Sequence, residues 1–504
     1  MNSRPAFRGP ASFVPDGGRP YELLPFRFAR LPNPPGTVLA TSEVGEYAFL
    51  TDQKFQDFVG RRLRADDHLY RDLHARHFLI EPGADPHLDL IATQYRTRKS
   101  FLRWGPSLHI FVVTLRCDHS CVYCQVSRRS PDAARFDMAA ETMGHAVNRL
   151  FESRAPTLTV EFQGGEPALA FDRVKSLVDM IEERNASERR SIRFTLASTL
   201  HLLTDEMLQF CREHKICLST SLDGPAFIHN ANRPNGSHDS YERTVEAIDR
   251  ARSIVGAENV SALTTLTRLS LQHPKEIIDT YVSLGFRSIF LRPLSPYGFA
   301  LRSAHKTGYP MSEFVSFYRA ALDYLIDINK RGIVIDEAYS TVLLNHILTP
   351  FPTGYVDLRS PAGAGLGALV YNYDGRVYAS DEGRMVAETG DDRFVLGTVV
   401  QPYQALMTSE AMQWLLASGV AEALPGCSDC AFLPYCGSDP VYHASRQGDP
   451  VGHRPTSDFC RKHTGLFEVI FGNLARRDAD VMRVFLAWIS RRTPAQVSRA
   501  GYMP

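Results

Sequence analysis

The sequence predicts an α/β protein: a partial, TIM-like (β/α)6 barrel between a small N-terminal α+β domain and a C-terminal domain rich in cysteine. Six apolar, β-branched runs alternate with amphipathic helical patterns, which is the order of parallel strands with helices packed outside them. Six repeats fall short of the eight that close a full barrel. Nine cysteines in 504 residues fall mostly into two groups, which indicates metal or redox chemistry.

The predicted strands and helices define where binding residues are expected. The barrel strands are Leu108–Leu115, Thr157–Phe162, Ile192–Ala197, Ile216–Leu222, Val260–Leu266 and Ser288–Leu291. Helical patterns include Val174–Glu183, Asp205–Glu213, Tyr241–Arg252, Lys275–Leu284 and Glu313–Lys330. Sites on such sheets lie at the carboxyl ends of the strands, so the residues that follow each strand are the candidates.

Changes in composition and pattern divide the chain into five parts. They are a flexible tail at 1–20, a small α+β domain at 21–95, the barrel at 105–335, the cysteine-rich domain at 355–465, and a C-terminal helix and tail at 466–504. The α+β domain contains strand patterns at Phe26–Phe28, Thr37–Ala40 and Glu46–Leu50, followed by helical patterns near Phe55–Leu63 and His68–Phe78.

Charge and hydropathy exclude several functions. Lys and Arg number 56 and Asp and Glu also 56, so the net charge is zero and no strong basic field for nucleic acid is expected. No run approaches the roughly 20 apolar residues of a membrane span, and no signal peptide is recognisable. We therefore expect a cytoplasmic enzyme without nucleic-acid or membrane partners, although an iron–sulfur scaffold or electron-transfer protein is a non-enzymatic alternative.

The first cysteine group directly follows the first barrel strand, as Cys117-Asp-His-Ser-Cys121-Val-Tyr-Cys124. Three thiolates within eight residues can hold one metal centre and leave a coordination position open, as catalytic centres do. A zinc knuckle or a set of buried thiols is the alternative. After the second strand comes Gln163-Gly164-Gly165-Glu166-Pro167, where two glycines permit close backbone approach and Glu166 offers a negative partner for an ammonium group.

These motifs resemble those of the radical S-adenosylmethionine (SAM) enzymes, whose signature is CxxxCxφC with an aromatic φ, here Tyr123. The resemblance implies a SAM-binding 4Fe–4S cluster and a 5′-deoxyadenosyl radical that abstracts hydrogen from a substrate. It assigns the SAM amino group to Gly164, Gly165 and Glu166, and further SAM contacts to Ser198, Ser221 and Arg233. The family's usual Thr-Asn-Gly after strand three is replaced by Ser198-Thr199-Leu200.

The second cysteine group is Cys427, Cys430 and Cys436, followed by Cys460. Zinc is an alternative for such a CxxC pattern, but the order resembles the SPASM domain of radical SAM peptide maturases, which ligates two auxiliary 4Fe–4S clusters. All four outer-cluster cysteines are present, whereas the three inner-cluster positions are Ala362, Ser380 and Pro440. The resemblance thus implies two 4Fe–4S clusters in total, one SAM-binding and one auxiliary.

Three further cysteine-domain and core residues receive assignments. Asp381 follows Ser380, and in sulfatase-maturating relatives an Asp after the matching Cys is a general base, so Asp381 is the candidate catalytic residue; a solvated hairpin end is the alternative. Cys211 and Cys217 remain as expected buried, inert thiols.

Three stretches resemble the B component of the His-Xaa-Ser peptide systems. They are residues 24–28, 220–225 and 291–300. That resemblance implies a maturase of a ribosomally synthesised precursor peptide that forms a crosslink or another oxidative modification, together with a partner radical SAM maturase and an electron donor such as flavodoxin or ferredoxin. A formylglycine-generating, sulfatase-type maturase and a peptide epimerase are the alternatives. The N-terminal domain resembles a winged helix that grips a leader peptide, with simple packing as its alternative.

Overall fold

The computed structural model describes residues 21–81 and 85–497. The predicted flexible tail, residues 1–20, lies outside the described residues. No helix within the described ranges is long and apolar enough to cross a membrane.

The N-terminal unit is a three-stranded antiparallel sheet covered by two helices. Its elements are β1 (Glu22–Leu23), β2 (Phe26–Leu31), β3 (Thr37–Ser42), β4 (Tyr47–Thr51), α1 (Asp52–Val59), α2 (His68–Ala75) and β5 (Leu79–Ile80). The sheet order is β2-β3-β4, and β1 pairs with β5. Val38 and Ala40 of β3 pack with Phe55 and Phe58 of α1, because alternate strand residues share one face.

A helix that the sequence patterns do not predict precedes the barrel. It is α3 (Asp85–Arg98). Leu88, Leu90 and Tyr95 are exposed on it, so its apolar residues form no single buried stripe of the kind that marks an amphipathic helix. Arg98 at its end donates a hydrogen bond to the His346 carbonyl at 3.0 Å.

The barrel strands are parallel and adjacent in chain order. They are β6 (Leu108–Thr114), β7 (Thr157–Gly164), β8 (Ser191–Ala197), β9 (Ile216–Ser221) and β10 (Val260–Thr265), followed by β11 (Ser288–Ile289) and β12 (Leu291–Arg292). The sixth predicted strand is therefore interrupted at Phe290. Its second half, β12, pairs with β10, and its first half, β11, pairs with β13 (Asp336–Glu337).

Helices cover the outer face of these strands. They are α4 (Ala140–Glu152), α5 (Phe171–Glu188), α6 (Asp205–Glu213), α7 (Ala226–Asn232), α8 (Ser240–Val255), α9 (Pro274–Ser283), α10 (Ala300–Thr307), α11 (Met311–Lys330) and α12 (Ala338–Leu348). Helix α6 has the predicted bounds because Thr204 caps it by accepting from the Met207 amide, and Leu208 and Cys211 form its buried side.

Each barrel strand presents alternate residues to the two sides of the sheet. On β7, Leu158, Val160 and Phe162 are buried against the helices, whereas Glu161 and Gln163 are half-buried on the opposite side. Because successive strand residues point to opposite faces of a sheet, the polar side chains of β7 point into the barrel lumen, where a substrate would lie.

The C-terminal region extends the barrel sheet. Its elements are β14 (Ala368–Tyr371), β15 (Arg376–Tyr378), α13 (Asp381–Ala387), β16 (Val395–Thr398), α14 (Tyr403–Met407), α15 (Glu410–Gly419), α16 (Pro440–Gln447), α17 (Asp458–Ala475) and α18 (Ala479–Ser490). Strand β14 pairs in parallel with β6, so one nine-stranded sheet runs through both regions. The C-terminal helix predicted within 466–504 is two helices, α17 and α18, in the described part of that stretch.

The N-terminal unit packs against the loop that carries the second cysteine group. Thr41 donates to the Ala431 carbonyl at 2.8 Å, and the Tyr435 hydroxyl donates to the Gly45 carbonyl at 3.0 Å. The rings of Tyr47 and Phe471 lie 5.4 Å apart in an edge-on contact. Leader-peptide recognition by this unit stays a prediction. These contacts agree with the alternative, in which the unit packs against the rest of the protein.

The buried carboxylate of Glu337 joins the interrupted sixth strand to two helices. It accepts hydrogen bonds from the Leu291 amide at 3.2 Å, the Tyr318 hydroxyl at 2.6 Å and the Ser340 amide at 2.5 Å. Glu337→Ala leaves these buried donors unpaired, and we expect it to reduce the free energy of unfolding by roughly 3 kcal/mol.

The measurement is the denaturant midpoint followed by circular dichroism. Glu337→Gln keeps an acceptor oxygen and should lose less than the alanine variant, whereas Glu313→Ala, in the first turn of α11, should change little. Equal loss in all three variants would contradict this role for Glu337.

Candidate functional site

The loop after β6 carries Cys117, Cys121 and Cys124 and is tied to its surroundings by backbone hydrogen bonds. The Cys117 amide donates to the Arg129 carbonyl at 3.1 Å, and the Val122 amide donates to the Asn232 carbonyl at 2.9 Å. These bonds hold all three predicted ligands at the carboxyl edge of the barrel sheet, the edge where sites of this fold lie.

Three cysteine thiols in one loop are the donors that iron–sulfur clusters use. A tetrahedral zinc ion with Zn–S bonds of about 2.3 Å holds its sulfurs about 3.8 Å apart. Among the described residues, no three cysteine sulfurs lie within 4.8 Å of one another. The thiols are nevertheless neighbours: burial raises the pKa of Cys121 to about 11, and Cys124 adds to that shift. The donor set therefore fits the predicted iron–sulfur centre.

A buried polar network fastens this loop to the loop after β9. The Tyr123 hydroxyl donates to Asp223 Oδ2 at 2.8 Å and accepts from Arg233 Nη1 at 2.8 Å. Asp223 also accepts from the Thr265 amide at 3.1 Å. Arg233, predicted to meet a carboxylate of SAM, thus contacts the cluster loop through Tyr123. Asp223, to which the sequence analysis assigns no role, lies in the stretch 220–225.

Gly164 and Gly165 allow the end of β7 to approach the backbone that leads into the cysteine loop. The Gly165 amide donates to the Thr114 carbonyl at 2.8 Å, and the Glu166 amide donates to the Arg116 carbonyl at 2.6 Å. A Cβ atom on Gly164 would lie 1.9 Å from the Thr114 oxygen, and one on Gly165 would lie 2.1 Å from the Arg116 oxygen. Only glycine fits at either position.

The Glu166 carboxylate is fully buried and held by the residues after β8. Oε1 accepts from Ser198 Oγ at 2.7 Å and from the Ala168 amide at 2.9 Å, and Oε2 accepts from the Thr199 amide at 2.6 Å. Burial raises the pKa of Glu166, while the bonds from Ser198 and Thr199 oppose the shift. Ser198 therefore orients Glu166. The sequence predicts Ser198 only as a SAM contact and does not predict this hydrogen bond.

Leu200 occupies a left-handed backbone conformation where the family pattern has glycine. Its φ is 67°, and its side chain is buried. A left-handed residue other than glycine costs roughly 1–2 kcal/mol, so burial of Leu200 must offset backbone strain beside the predicted SAM contact at Ser198.

Ser221 and a neighbouring histidine pair complete this edge of the barrel. Ser221 ends β9 and is half-buried. Asp118, His119 and His201 bring ligand atoms within 4.8 Å of one another. The two histidine rings also lie against hydroxyls, His119 Nε2 at 3.2 Å from Ser240 and His201 Nε2 at 2.9 Å from Thr244. We therefore interpret this group as a hydrogen-bonded network.

The four cysteines of the second group line one cavity. Cys427, Cys430 and Cys436 lie on successive turns of one loop, and Cys460 lies in the first turn of α17. Arg454 Nε donates to Cys427 Sγ at 3.0 Å, and a guanidinium stabilises sulfur in its thiolate form. The apolar remainder of the cavity wall includes Phe432 and Phe467. The donor set fits one fully ligated cluster.

The three positions without cysteine also meet at one cavity. Ala362, Ser380 and Pro440 all line it, together with Asp381. Ser380 caps α13 by accepting from the Gly383 amide at 3.1 Å, and Pro440 begins α16. Asp381 is therefore a helix residue at the cavity wall, paired with Arg384 at 2.8 Å, and not a hairpin end.

The remaining cysteines differ from each other. Cys211 is fully buried, and burial raises its pKa to about 12. Cys217 is only half-buried, on the side of β9 that alternation turns to the lumen, so the prediction of two core thiols is wrong for Cys217.

The arrangement of the cysteines is that of an iron–sulfur enzyme. Three thiols lie at the carboxyl edge of a partial barrel, and four more line a separate cavity. Residues 111–281 match the radical SAM superfamily. An uncharacterized protein of Methanothermobacter thermautotrophicus is 30% identical over 192 residues, which cover 38% of this chain and 69% of that protein. A cysteine-type anaerobic sulfatase-maturating enzyme of Clostridium perfringens is 22% identical over 281 residues, 55% of this chain and 74% of that enzyme.

Solved structures share the fold. The native anSMEcpe structure with bound AdoMet has a TM-score of 0.60 at 19% identity and covers 73% of this chain and 98% of its own. Streptococcus suis SuiB bound to the precursor peptide SuiA has a TM-score of 0.52 at 12% identity and covers 86% of this chain and 98% of its own.

The chain belongs to the radical SAM superfamily, and it is an enzyme that uses SAM and a 4Fe–4S cluster. Its cysteine-rich C-terminal region is consistent with a SPASM domain. The predicted fold class and SAM chemistry are thereby confirmed, whereas the scaffold alternative is not supported.

Gly165→Ala tests the close approach of β7 to the cysteine loop. The added methyl group collides with the Leu115 and Arg116 carbonyls, so the loop must move and its three thiols separate. We expect reconstituted protein to lose most of its SAM-cleaving cluster, about four irons per chain, and most of its 5′-deoxyadenosine release. Gly144→Ala, where a Cβ meets nothing within 4 Å, is the matched control. Normal iron content in Gly165→Ala would show that the contact does not hold the loop.

Proposed function

We propose that this enzyme is a maturase that modifies a ribosomally synthesised peptide, with a crosslink or another oxidative modification as the product. The observation that carries the proposal is the pairing of an open three-thiol site on the barrel edge with a closed four-cysteine cavity in the adjoining domain. The relative from Clostridium perfringens is named as a sulfatase-maturating enzyme, and the SuiB structure holds a precursor peptide, so both neighbours support a polypeptide substrate.

The residues of the barrel edge would prepare the reaction. When bound, the reduced cluster and SAM supply a 5′-deoxyadenosyl radical for hydrogen abstraction. Glu166, buried and oriented by Ser198 and Thr199, would place a negative charge near the SAM ammonium group. Tyr123, Asp223 and Arg233 hold the cysteine loop in place. Asp381 lies at a cavity wall where it would accept a proton from the substrate.

A peptide-modifying reaction and its alternatives give different products. With a candidate precursor peptide rich in His-Xaa-Ser repeats, SAM and dithionite under anaerobic conditions, we expect 5′-deoxyadenosine release and a peptide lighter by two hydrogens, because crosslinking is a net oxidation. The measurement is mass spectrometry of intact and digested peptide.

Each alternative predicts another outcome of the same assay. An unchanged mass with an inverted residue would indicate an epimerase. An aldehyde that reacts with a hydrazide probe would indicate a formylglycine-generating enzyme, the second candidate that the sulfatase-maturating relatives favour. Stoichiometric radical formation without any peptide change would overturn the maturase proposal.

We further propose two 4Fe–4S clusters per chain, because the third cysteine set is replaced at Ala362, Ser380 and Pro440. Anaerobic reconstitution should give about eight irons per chain instead of about twelve. Cys121→Ala/Cys124→Ala should abolish SAM cleavage and keep about four irons. Cys427→Ala/Cys430→Ala should also keep about four irons, but it should still cleave SAM when no peptide is added. A value of about twelve in the unmodified chain would disprove the two-cluster proposal.

A further inference from the structure

The four-cysteine cavity has a buried cation in direct contact with one of its thiols. Arg454 begins a short turn of 3-10 helix, Arg454–Thr456, and is 7% exposed. Its Nε atom donates to Cys427 Sγ at 3.0 Å. A Cβ atom on Gly426 would lie 3.1 Å from Cγ of Arg454, so the aliphatic part of this side chain packs closely on the backbone that leads into Cys427. The guanidinium group is therefore held at the sulfur by packing as well as by the hydrogen bond.

A buried histidine fixes the second arm of this guanidinium group. His443 Nδ1 lies 2.7 Å from the carbonyl oxygen of Asp439. A carbonyl oxygen only accepts, so Nδ1 carries the hydrogen and Nε2 is left as an acceptor. Arg454 Nη1 donates to this Nε2 atom at 2.8 Å. Burial, followed by the charge of Arg454, lowers the pKa of His443 to about 4, so the imidazole is neutral at neutral pH and can accept. One planar group thus meets two partners, which a lysine cannot do in the same way.

His443 belongs to the helix that starts at one of the positions without cysteine. Helix α16 begins at Pro440, and the Asp439 side chain caps it by accepting from the Tyr442 amide at 2.9 Å. His443 lies one turn further along and turns its ring to Arg454. The segment where the family pattern has an inner-cluster ligand therefore supports the contact between Arg454 and the outer cysteine group.

The first cysteine group lacks such a contact. Among the described residues, no cationic side chain donates a hydrogen bond to its three thiols. Arg233, a cation that acts on Cys121, donates to the Tyr123 hydroxyl instead, and Cys117 Sγ lies 3.8 Å from a carboxylate oxygen of Asp118. A direct bond from a cation to a thiol therefore distinguishes the second site from the first.

The sign of the effect of Arg454 on a bound cluster follows from charge. A 4Fe–4S cluster carries one more negative charge when it is reduced, and a neighbouring positive charge stabilises the more negative form. Hydrogen bonds to the sulfurs and exclusion of solvent both set cluster potentials. Because Arg454 is buried, solvent and salt screen its charge only weakly.

We propose that Arg454, oriented by His443, raises the reduction potential of the cluster held by Cys427, Cys430, Cys436 and Cys460. The inference rests on the two-cluster proposal and adds the residue that tunes the second cluster. Arg454 acts through the Cys427 sulfur and contacts no substrate in this role, so it is a positioning residue.

A redox titration followed by electron paramagnetic resonance tests this role without turnover. The parent is the full-length Cys121→Ala/Cys124→Ala variant, reconstituted anaerobically, in which only the second cluster gives a signal. Arg454→Met keeps the length of the side chain and removes its charge. We expect it to lower the ratio of reduced to oxidised cluster at a fixed potential about tenfold, a shift of about 59 mV to more negative potential for a one-electron couple. Arg454→Lys keeps the charge but not the two-armed contact and should lie between the parent and Arg454→Met.

Two further variants separate the bond from general charge and from folding. Arg446→Gln removes an exposed positive charge from α16 and should leave the midpoint potential unchanged. His443→Phe removes the acceptor for Nη1 and should give a smaller shift in the same direction as Arg454→Met. An unchanged midpoint in Arg454→Met, or an equal shift in Arg446→Gln, would overturn the inference. If Arg454→Met does not retain about four irons, unchanged midpoints in Arg454→Lys and His443→Phe would overturn it.

The same measurements distinguish this inference from the proposals on which it rests. About four irons in the chain with all its cysteines would count against the two-cluster proposal. Unchanged midpoints in variants that keep their iron would count only against the role of Arg454. Failure of peptide modification while the midpoint shifts are observed would count only against the maturase proposal.

Discussion

The contact between the ends of β6 and β7 constrains every part of the proposed SAM site. Two amides at residues 165 and 166 donate to the carbonyls of Thr114 and Arg116, and the backbones lie so close that neither Gly164 nor Gly165 has room for a side chain. This approach fixes where the cysteine loop begins. It also buries the Glu166 carboxylate in the barrel wall, where residues after β8 can reach it. One backbone contact thus aligns three successive strand ends at the proposed SAM site.

Two buried carboxylates join separate elements of the fold. Glu337 and Glu166 are fully buried, and each accepts at least three hydrogen bonds from its surroundings. Because leaving a charge unpaired inside a protein is costly, these bonds offset the burial of each carboxylate and fix the segments that donate them.

The positions that lack cysteine have acquired other structural uses. Ser380 caps α13, and Asp439 and Pro440 form the start of α16, both favoured residue types at helix starts. The cavity wall is therefore built by helix termini that need no metal. The cavity at Ala362, Ser380 and Pro440 therefore keeps its walls without cysteine at these positions.

The sequence by itself determined the features that depend on local spacing. The alternation of β7, the cap and apolar stripe of α6, and the three cysteines within one loop are properties of neighbouring residues, and their periods can be read from the chain. Tertiary structure decided the rest. The pairing of β14 with β6 involves four residues that are all buried, so no alternation marks them. The hold of Ser198 on Glu166 and the half-buried position of Cys217 depend on which distant segments pack together, because burial and hydrogen bonding are set by neighbours in space and not by neighbours in sequence.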